Sequence, residues 1–226
     1  MYHRRNRISA VRPQPDRRIH SPAAFDRRAV LMGLTALIGM GLATRLRADD
    51  LSAETILNDP DAPVGGNPKG DLTIVSFFDY NCPFCKRTVE PLKAVLTSDG
   101  NIRHVYKDWP ILAPSSVSGA KLALAAKYQD RYEDAYHALM GIEGSRVSED
   151  RMRKGLESAG FDMPKLEADA TRHDAAINAL LQRNTAQAEG LGLPGTPVFL
   201  IGPFMVASAL DEAGFRQVVK DAREAS

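Results

Sequence analysis

The chain holds two cysteines in 226 residues, Cys82 and Cys85, on either side of a Pro-Phe pair. Ahead of them an apolar, β-branched run from Leu72 to Phe78 ends in Asp79-Tyr80-Asn81, and behind them a helical pattern begins. A thiol at a helix N-terminus faces unpaired backbone N–H groups and the positive end of the helix dipole. Both favour thiolate over thiol, and the thiolate is the reactive form. Each unit of pKa depression corresponds to about 1.4 kcal/mol in favour of that form. Pro83 suits the first helical turn, where its missing N–H would have had no partner, and Phe84 completes the turn. Cys85 then falls one turn from Cys82, so the pair can close a disulfide and reopen it. The chemistry this points to is redox exchange at sulfur.

Other uses of two thiols remain open on these residues alone. A structural disulfide between near neighbours stabilises little, because the entropy it removes grows with the loop it closes. A structural zinc site needs four ligands, and His104, His137 and His173 are scattered without ligand spacing. A non-enzymatic copper(I) carrier using only the two thiolates is compatible with their softness. No cofactor and no other metal set is expected.

A second feature lies 112 residues after Cys85, in Leu193-Pro194-Gly195-Thr196-Pro197-Val198-Phe199-Leu200-Ile201-Gly202. A Thr-Pro at the mouth of an apolar strand is unusual, since proline cannot donate to a ladder. A cis bond there would be a constraint held by its surroundings. With these two segments, Asp59-Pro60-Asp61-Ala62-Pro63, Gly66-Asn67-Pro68-Lys69-Gly70-Asp71 and Lys107-Asp108-Trp109-Pro110-Ile111-Leu112, the sequence resembles the DsbA-like branch of the thioredoxin superfamily. It is nearest the short periplasmic thiol:disulfide interchange proteins and similar to the ScsC proteins. The resemblance runs from about Asp59 to the C-terminus.

That resemblance implies an α/β chain, a thioredoxin fold with an inserted all-helical subdomain, acting as a protein-disulfide oxidoreductase. By it Cys82 is the attacking, substrate-linked thiol, Cys85 the resolving thiol, and Pro197 a cis proline facing the pair. Thr196 would offer backbone groups to an extended substrate segment, a form of strand addition. Implied partners are unfolded or misoxidised exported proteins and a DsbB-like or DsbD-like membrane protein. Two departures bear on direction. Position 76, often acidic in the superfamily and proposed there to relay the resolving thiol's proton, is Ser76. Phe84 replaces the His of the strongly oxidising members, which implies a less depressed Cys82 and a weaker oxidant. Thr196 in place of Val also points towards isomerase or mixed activity.

The elements that must position these residues begin after a distinct N-terminal region. Residues 1–48 carry ten Arg, no Lys and two Asp, a net +8, with a fifteen-residue apolar run from Ala29 to Ala43. That run is short of the roughly 20 residues of a membrane-spanning helix. Basic region, short apolar core and a small residue at Ala43 or Ala48 read as a cleaved export signal. Asp26-Arg27-Arg28 loosely resembles a twin-arginine signal, with the general secretory route equally open. A periplasmic location follows and fits sulfur redox chemistry, because disulfides persist outside the cytoplasm. Residues 49–226 hold 19 basic and 26 acidic residues, about −7, which disfavours nucleic acid as a partner.

Residues 49–70 read as a leader segment and loops, too short before Asp59 for an oligomerising stalk, which favours a monomer. Residues 71–113 read as the first half of the sheet. Leu72 to Phe78 has the continuous apolar character of a central strand. A helix from Pro83 to about Leu96 contains Pro91, and a second strand covers Ile102 to Lys107. Residues 114–192 read as a helical insertion, with Ser115 as the first cap. Residues 193–226 complete the sheet with a hairpin about Gly202-Pro203 and a closing helix capped by Asp211. Asp79 and Lys107 read as charges at strand ends, solvated unless they bias proton transfer. His104 reads as an edge or partly buried side chain, and Trp109 as packing beneath the site.

Overall fold

The structure, a computed structural model, describes residues 52–225. The region read as an export signal lies outside the described residues. Among the described residues no helix is long and apolar enough to cross a membrane.

The strand β2 (Leu72–Phe78) is the middle of a five-stranded sheet, buried along nearly its whole length as its apolar run requires. A parallel neighbour, β3 (Ile102–Asp108), pairs with it from Leu72 opposite Ile102 to Phe78 opposite Asp108. The helix α2 (Pro83–Asp99) connects them, continues through Pro91 and stops at Gly100, whose φ of 70° is the left-handed conformation of a helix cap. On the other side β4 (Val198–Ile201) runs antiparallel to β2, and β5 (Phe204–Val206) forms one sheet edge. The opposite edge is a correction to the sequence reading. Residues 64–66, read as loop, form the strand β1 (Val64–Gly66), antiparallel to β3. Three residues with two glycines carry too little pattern to announce a strand.

Side chains alternate across the sheet, and each face has its own core. One face packs Ile74, Phe199 and Ile201 against Leu92 and Val95 of α2 and against Phe215 and Val219 of α8 (Glu212–Glu224). The other packs Val75, Phe77, Val105 and Val198 against Trp109, against Ile56 of α1 (Ala53–Leu57), and against Ala188 of α7 (Asp174–Gly190). Phe77 and Trp109 meet edge to face at 6.3 Å.

Between β3 and β4 lie α3 (Pro114–Ala126), α4 (Tyr132–Met140), α5 (Glu149–Ser158), α6 (Met163–Arg172) and α7, with a short 3-10 turn at Lys127–Gln129. Ser148 and Asp162 cap α5 and α6, and His173 is the joint between α6 and α7. Ser115 does not cap α3. Ala113 holds that position without a side-chain bond, and the Ser115 hydroxyl instead accepts from Asn81 Nδ2 at 3.0 Å. The apolar core of this helical layer takes in Phe78, Tyr80, Cys82 and Cys85 from the sheet side. The two cysteines are therefore packed where the insertion's core meets Phe78 and Tyr106 at one end of the sheet.

Lys107 is not solvated either. It is wholly buried on the sheet face turned towards α7, where its Nζ donates to Asp59 at 3.0 Å. Arg183 of α7 donates two further bonds to the same carboxylate, at 3.0 and 2.9 Å, and one to Asp61. Burial alone would raise the Asp59 pKa, but Arg183 and Lys107 overcome it and hold the group at about 2. The depressed value means that this stabilisation is complete above pH 4 and is lost as pH falls through about 2. Asp59→Asn, which strands a buried ammonium, is expected to cost about 3 kcal/mol in urea unfolding at pH 7. The gap from the native chain should narrow as pH is lowered from about 4 to 2. A difference independent of pH would contradict the ion-pair account.

Candidate active site

Cys82 is the N-cap of α2, in extended conformation, and Pro83 follows at the first helical position. Its Sγ accepts from the Cys85 backbone N–H at 3.4 Å. The Cys85 thiol lies behind it, 1 % exposed, and the Cys85 carbonyl accepts from the Thr88 hydroxyl at 2.7 Å. The pKa of Cys82 is lowered to about 6. The Cys85 thiol is the largest cause, burial opposes it, and groups of Thr196 with the backbone of Cys85 and Phe84 add to it. At neutral pH a thiol at about 6 is roughly nine-tenths thiolate. Cys85 moves the other way, far above the usual thiol range, by burial first and by its neighbour Cys82 second. One sulfur is thus ionised and the other keeps its proton.

The loop before β4 closes over this pair. The Thr196–Pro197 peptide is cis, and the Thr196 carbonyl oxygen lies 3.2 Å from Cys82 Sγ. Gly195 reaches it with φ of 150°, a conformation that a side chain would oppose although space for one exists. A shallow groove borders this loop, lined by Phe84, Pro194, Thr196, Pro197 and Ala207. Phe84 is half exposed there, with the Arg87 guanidinium 4.5 Å above its ring. Both sequence-derived segments, 114 residues apart between Cys82 and Thr196, therefore meet at one sulfur.

On the opposite side the redox segment is fastened to the helical insertion by three polar side chains. The Asp79 carboxylate, 1 % exposed, accepts four bonds: Asn81 N–H at 2.7 Å, Ile111 N–H at 2.8 Å, Leu112 N–H at 2.9 Å and the Ser116 hydroxyl at 2.7 Å. Asn81 donates to Ser115 and Ser116 and accepts the Val147 N–H at 2.8 Å. Lys86 donates to the carbonyls of Ile142 and Gly144. The sequence reading attached no role to Asn81 or Lys86 and took Asp79 for a strand-end charge. A carboxylate three residues before a helix cap, followed by an Asn, is the only hint the sequence carries of such a junction.

His104, read as an edge or partly buried side chain, is fully buried, since β1 covers the outer side of β3. It is 1 % exposed, and its Nε2 lies 2.7 Å from the Ser76 hydroxyl. Burial, with a smaller push from His137, lowers it to about 3, so it is neutral. Among the described residues no group of three or more His, Cys, Asp or Glu is arranged to hold a metal ion.

Replacing Cys85 with Ala removes the largest cause of the low Cys82 value. Thiolate absorbance near 240 nm should titrate with a midpoint near 6 in the native chain and rise towards 9 in the variant. An unchanged midpoint would mean that helix amides alone set it.

The chain matches the thioredoxin family over residues 58–221. Among solved structures it is similar to a thioredoxin-like oxidoreductase from Silicibacter pomeroyi DSS-3, with 36 % identity, 77 % of this chain and 99 % of that chain covered, and a TM-score of 0.72. It is also similar to the thiol-disulfide exchange protein α-DsbA2 from Wolbachia pipientis, with 26 % identity, 79 % and 95 % covered, and a TM-score of 0.70. The catalytic domain of Proteus mirabilis ScsC gives 25 % identity, 77 % and 97 % covered, and a TM-score of 0.67. The curated relatives it matches include Na⁺/H⁺ antiporters called NhaA 1, such as that of Mycolicibacterium gilvum, at 25 % identity over 65 % of this chain. The chain spans about a quarter of their length. With its fold, its paired cysteines and these neighbours, the chain belongs to the thioredoxin family, on the side of its DsbA-like and ScsC-like members.

Proposed function

We propose that the chain is a periplasmic thiol:disulfide oxidoreductase that exchanges disulfides with exported proteins through Cys82 and Cys85. The observation that carries this reading is the pair of opposed sulfurs. Cys82 is held near pKa 6 at a helix N-terminus, against the Thr196 carbonyl of the loop that borders the groove, and Cys85 keeps its proton one turn behind it. Reduced, the Cys82 thiolate attacks a substrate disulfide and forms a mixed disulfide, and Cys85 then attacks Cys82 and releases the substrate thiolate. Oxidised, the Cys82–Cys85 bond accepts a substrate thiolate at Cys82, with Cys85 leaving. The substrate's second thiolate then takes its own sulfur back as a disulfide.

The groove beside Thr196 and Pro197 suits an extended chain, with Phe84 as an apolar contact and the Thr196 backbone as a pairing partner. A DsbB-like or DsbD-like membrane protein recycles the pair. Export rests on the N-terminal pattern of basic residues and short apolar core.

The test is turnover of insulin with dithiothreitol and of scrambled ribonuclease. The native chain should be active in at least one, Cys82→Ser inactive, and Cys85→Ser should accumulate mixed disulfides visible on non-reducing gels. No turnover in either assay, together with tight copper(I) binding in competition with bicinchoninate, would replace this reading with that of a metal carrier. A thiolate pKa near 6 lies between those of thioredoxin and DsbA. The reduction potential is accordingly expected between their values of about −270 and −120 mV, measured against glutathione.

A further inference from the structure

The groove proposed above to hold substrate carries no charge of its own. Its walls are Phe84 on one side and the Pro194 to Pro197 loop with Ala207 to Ala209 on the other, and none of these residues is charged. Charge reaches it through Arg87, whose guanidinium lies 4.5 Å over the Phe84 ring. Both side chains are exposed, the ring at 51 % even with the guanidinium above it. Three residues apart on α2, they share one face of the helix that Cys82 caps.

Nothing else in the fold claims Arg87. Among the described residues no carboxylate lies within ion-pair distance of it, and the first turn of α2 holds no acid. Its neighbour Lys86 is committed to the carbonyls of Ile142 and Gly144. Nor does Arg87 account for the ionised sulfur. Cys82 is lowered chiefly by the Cys85 thiol, by Thr196 and by the backbone of Cys85 and Phe84. A partnerless surface cation is ordinary, but this one is fixed by its ring over the apolar wall of a groove. A guanidinium resting on a ring keeps its N–H edge free for a planar carboxylate.

The rest of the chain is charged the other way. Residues 49–226 carry about −7, a field that by itself favours cationic substrates. Arg87 reverses that sign at the groove. It follows Cys82 by five residues, roughly 7.5 Å of helix rise. An extended segment covers about that distance in two residues. We propose that Arg87, held on Phe84, selects substrate segments with an Asp or Glu within two residues of the cysteine that Cys82 attacks, by pairing with that carboxylate. The inference rests on the oxidoreductase reading. Arg87 decides which segment is held at Cys82 and is a specificity-determining residue.

The experiment mixes the reduced full chain with short peptides of one sequence, each with a single cysteine as a mixed disulfide to the neutral 2-thiopyridyl group. The peptides carry Glu, Gln or Lys at both positions two residues from the cysteine. The Cys82 thiolate attacks the peptide sulfur, and the bond to the thiopyridyl group breaks. That group leaves with the electron pair and is followed by its absorbance. At low ionic strength the native chain should take the Glu peptide about fivefold faster than the Lys peptide, and the ratio should fall towards one in about 0.5 M salt. Arg87→Glu should reverse the order, and Arg87→Lys should keep a reduced preference. Phe84→Leu, which removes the ring under the guanidinium, should weaken it. The thiolate midpoint near 6 should hold in all three variants.

A native ratio of one or below, as net charge alone would give, overturns the proposal. So does a Glu preference that Arg87→Glu leaves intact, or one lost together with a shift of the thiolate midpoint, which would place the effect on the sulfur. Peptides that react no faster with the native chain than with Cys82→Ser would sink the oxidoreductase reading, and the proposal with it. Fast reaction without charge preference removes the proposal alone.

Discussion

A buried sulfur stays ionised only where something other than water stabilises its charge, and in this chain that is the first turn of one helix. The Cys85 amide points at Cys82 Sγ, and the Cys85 thiol behind it favours the same ionised form. Nearly every other feature of the site serves to keep that turn where it is. The central strand delivers the chain to it, Pro83 starts the helix without an orphan donor, and the Thr196–Pro197 loop closes the far side. The energy at stake is a few units of pKa, about 4 kcal/mol, comparable with a large fraction of a domain's net stability. Such a difference survives only in surroundings that cannot relax.

The helical insertion provides much of that rigidity. Asp79 gathers two backbone amides from the link that follows β3, a hydroxyl from the first helix of the insertion and an amide from its own loop. A carboxylate with four donors is fully satisfied although buried, so it costs little to bury and much to disturb. Asn81 and Lys86 extend the same fastening to residues 142–147. Because the cysteines lie where the insertion's apolar core meets the sheet, the layer that covers them also excludes the water that would level their two proton affinities.

Much of this was legible in the sequence, and the illegible part has physical reasons. Leu72 to Phe78 announced a central strand because both of its faces are covered, and the helical stretch up to Gly190 announced the insertion by its periodicity and caps. The thioredoxin fold followed from the motifs that bracket it. Side chains whose partners come from distant segments did not declare themselves. Lys107 and Asp59 are 48 residues apart, and Asp79 meets Ile111, Leu112 and Ser116 across a similar gap, so no local pattern marks either as buried. Ser115 failed as a cap because a stronger tertiary donor, Asn81, claims its hydroxyl. His104 looked peripheral only because β1, three residues long, was read as loop.

The fastening between the redox segment and the insertion also limits how this chain can be rebuilt. Insertions in a fold are often treated as exchangeable cassettes, joined to their host at two short peptide links. Here the boundary is crossed by side chains of the host itself, and Lys86 reads backbone carbonyls whose positions depend on the loop after α4. A graft of another protein's helical layer onto this sheet would have to bring its own residues at 79, 81 and 86, or leave the buried Asp79 without its Ser116 donor and Asn81 without Ser115, Ser116 and Val147. The unit of transplantation is the layer together with eight residues of the motif it covers, from Asp79 to Lys86.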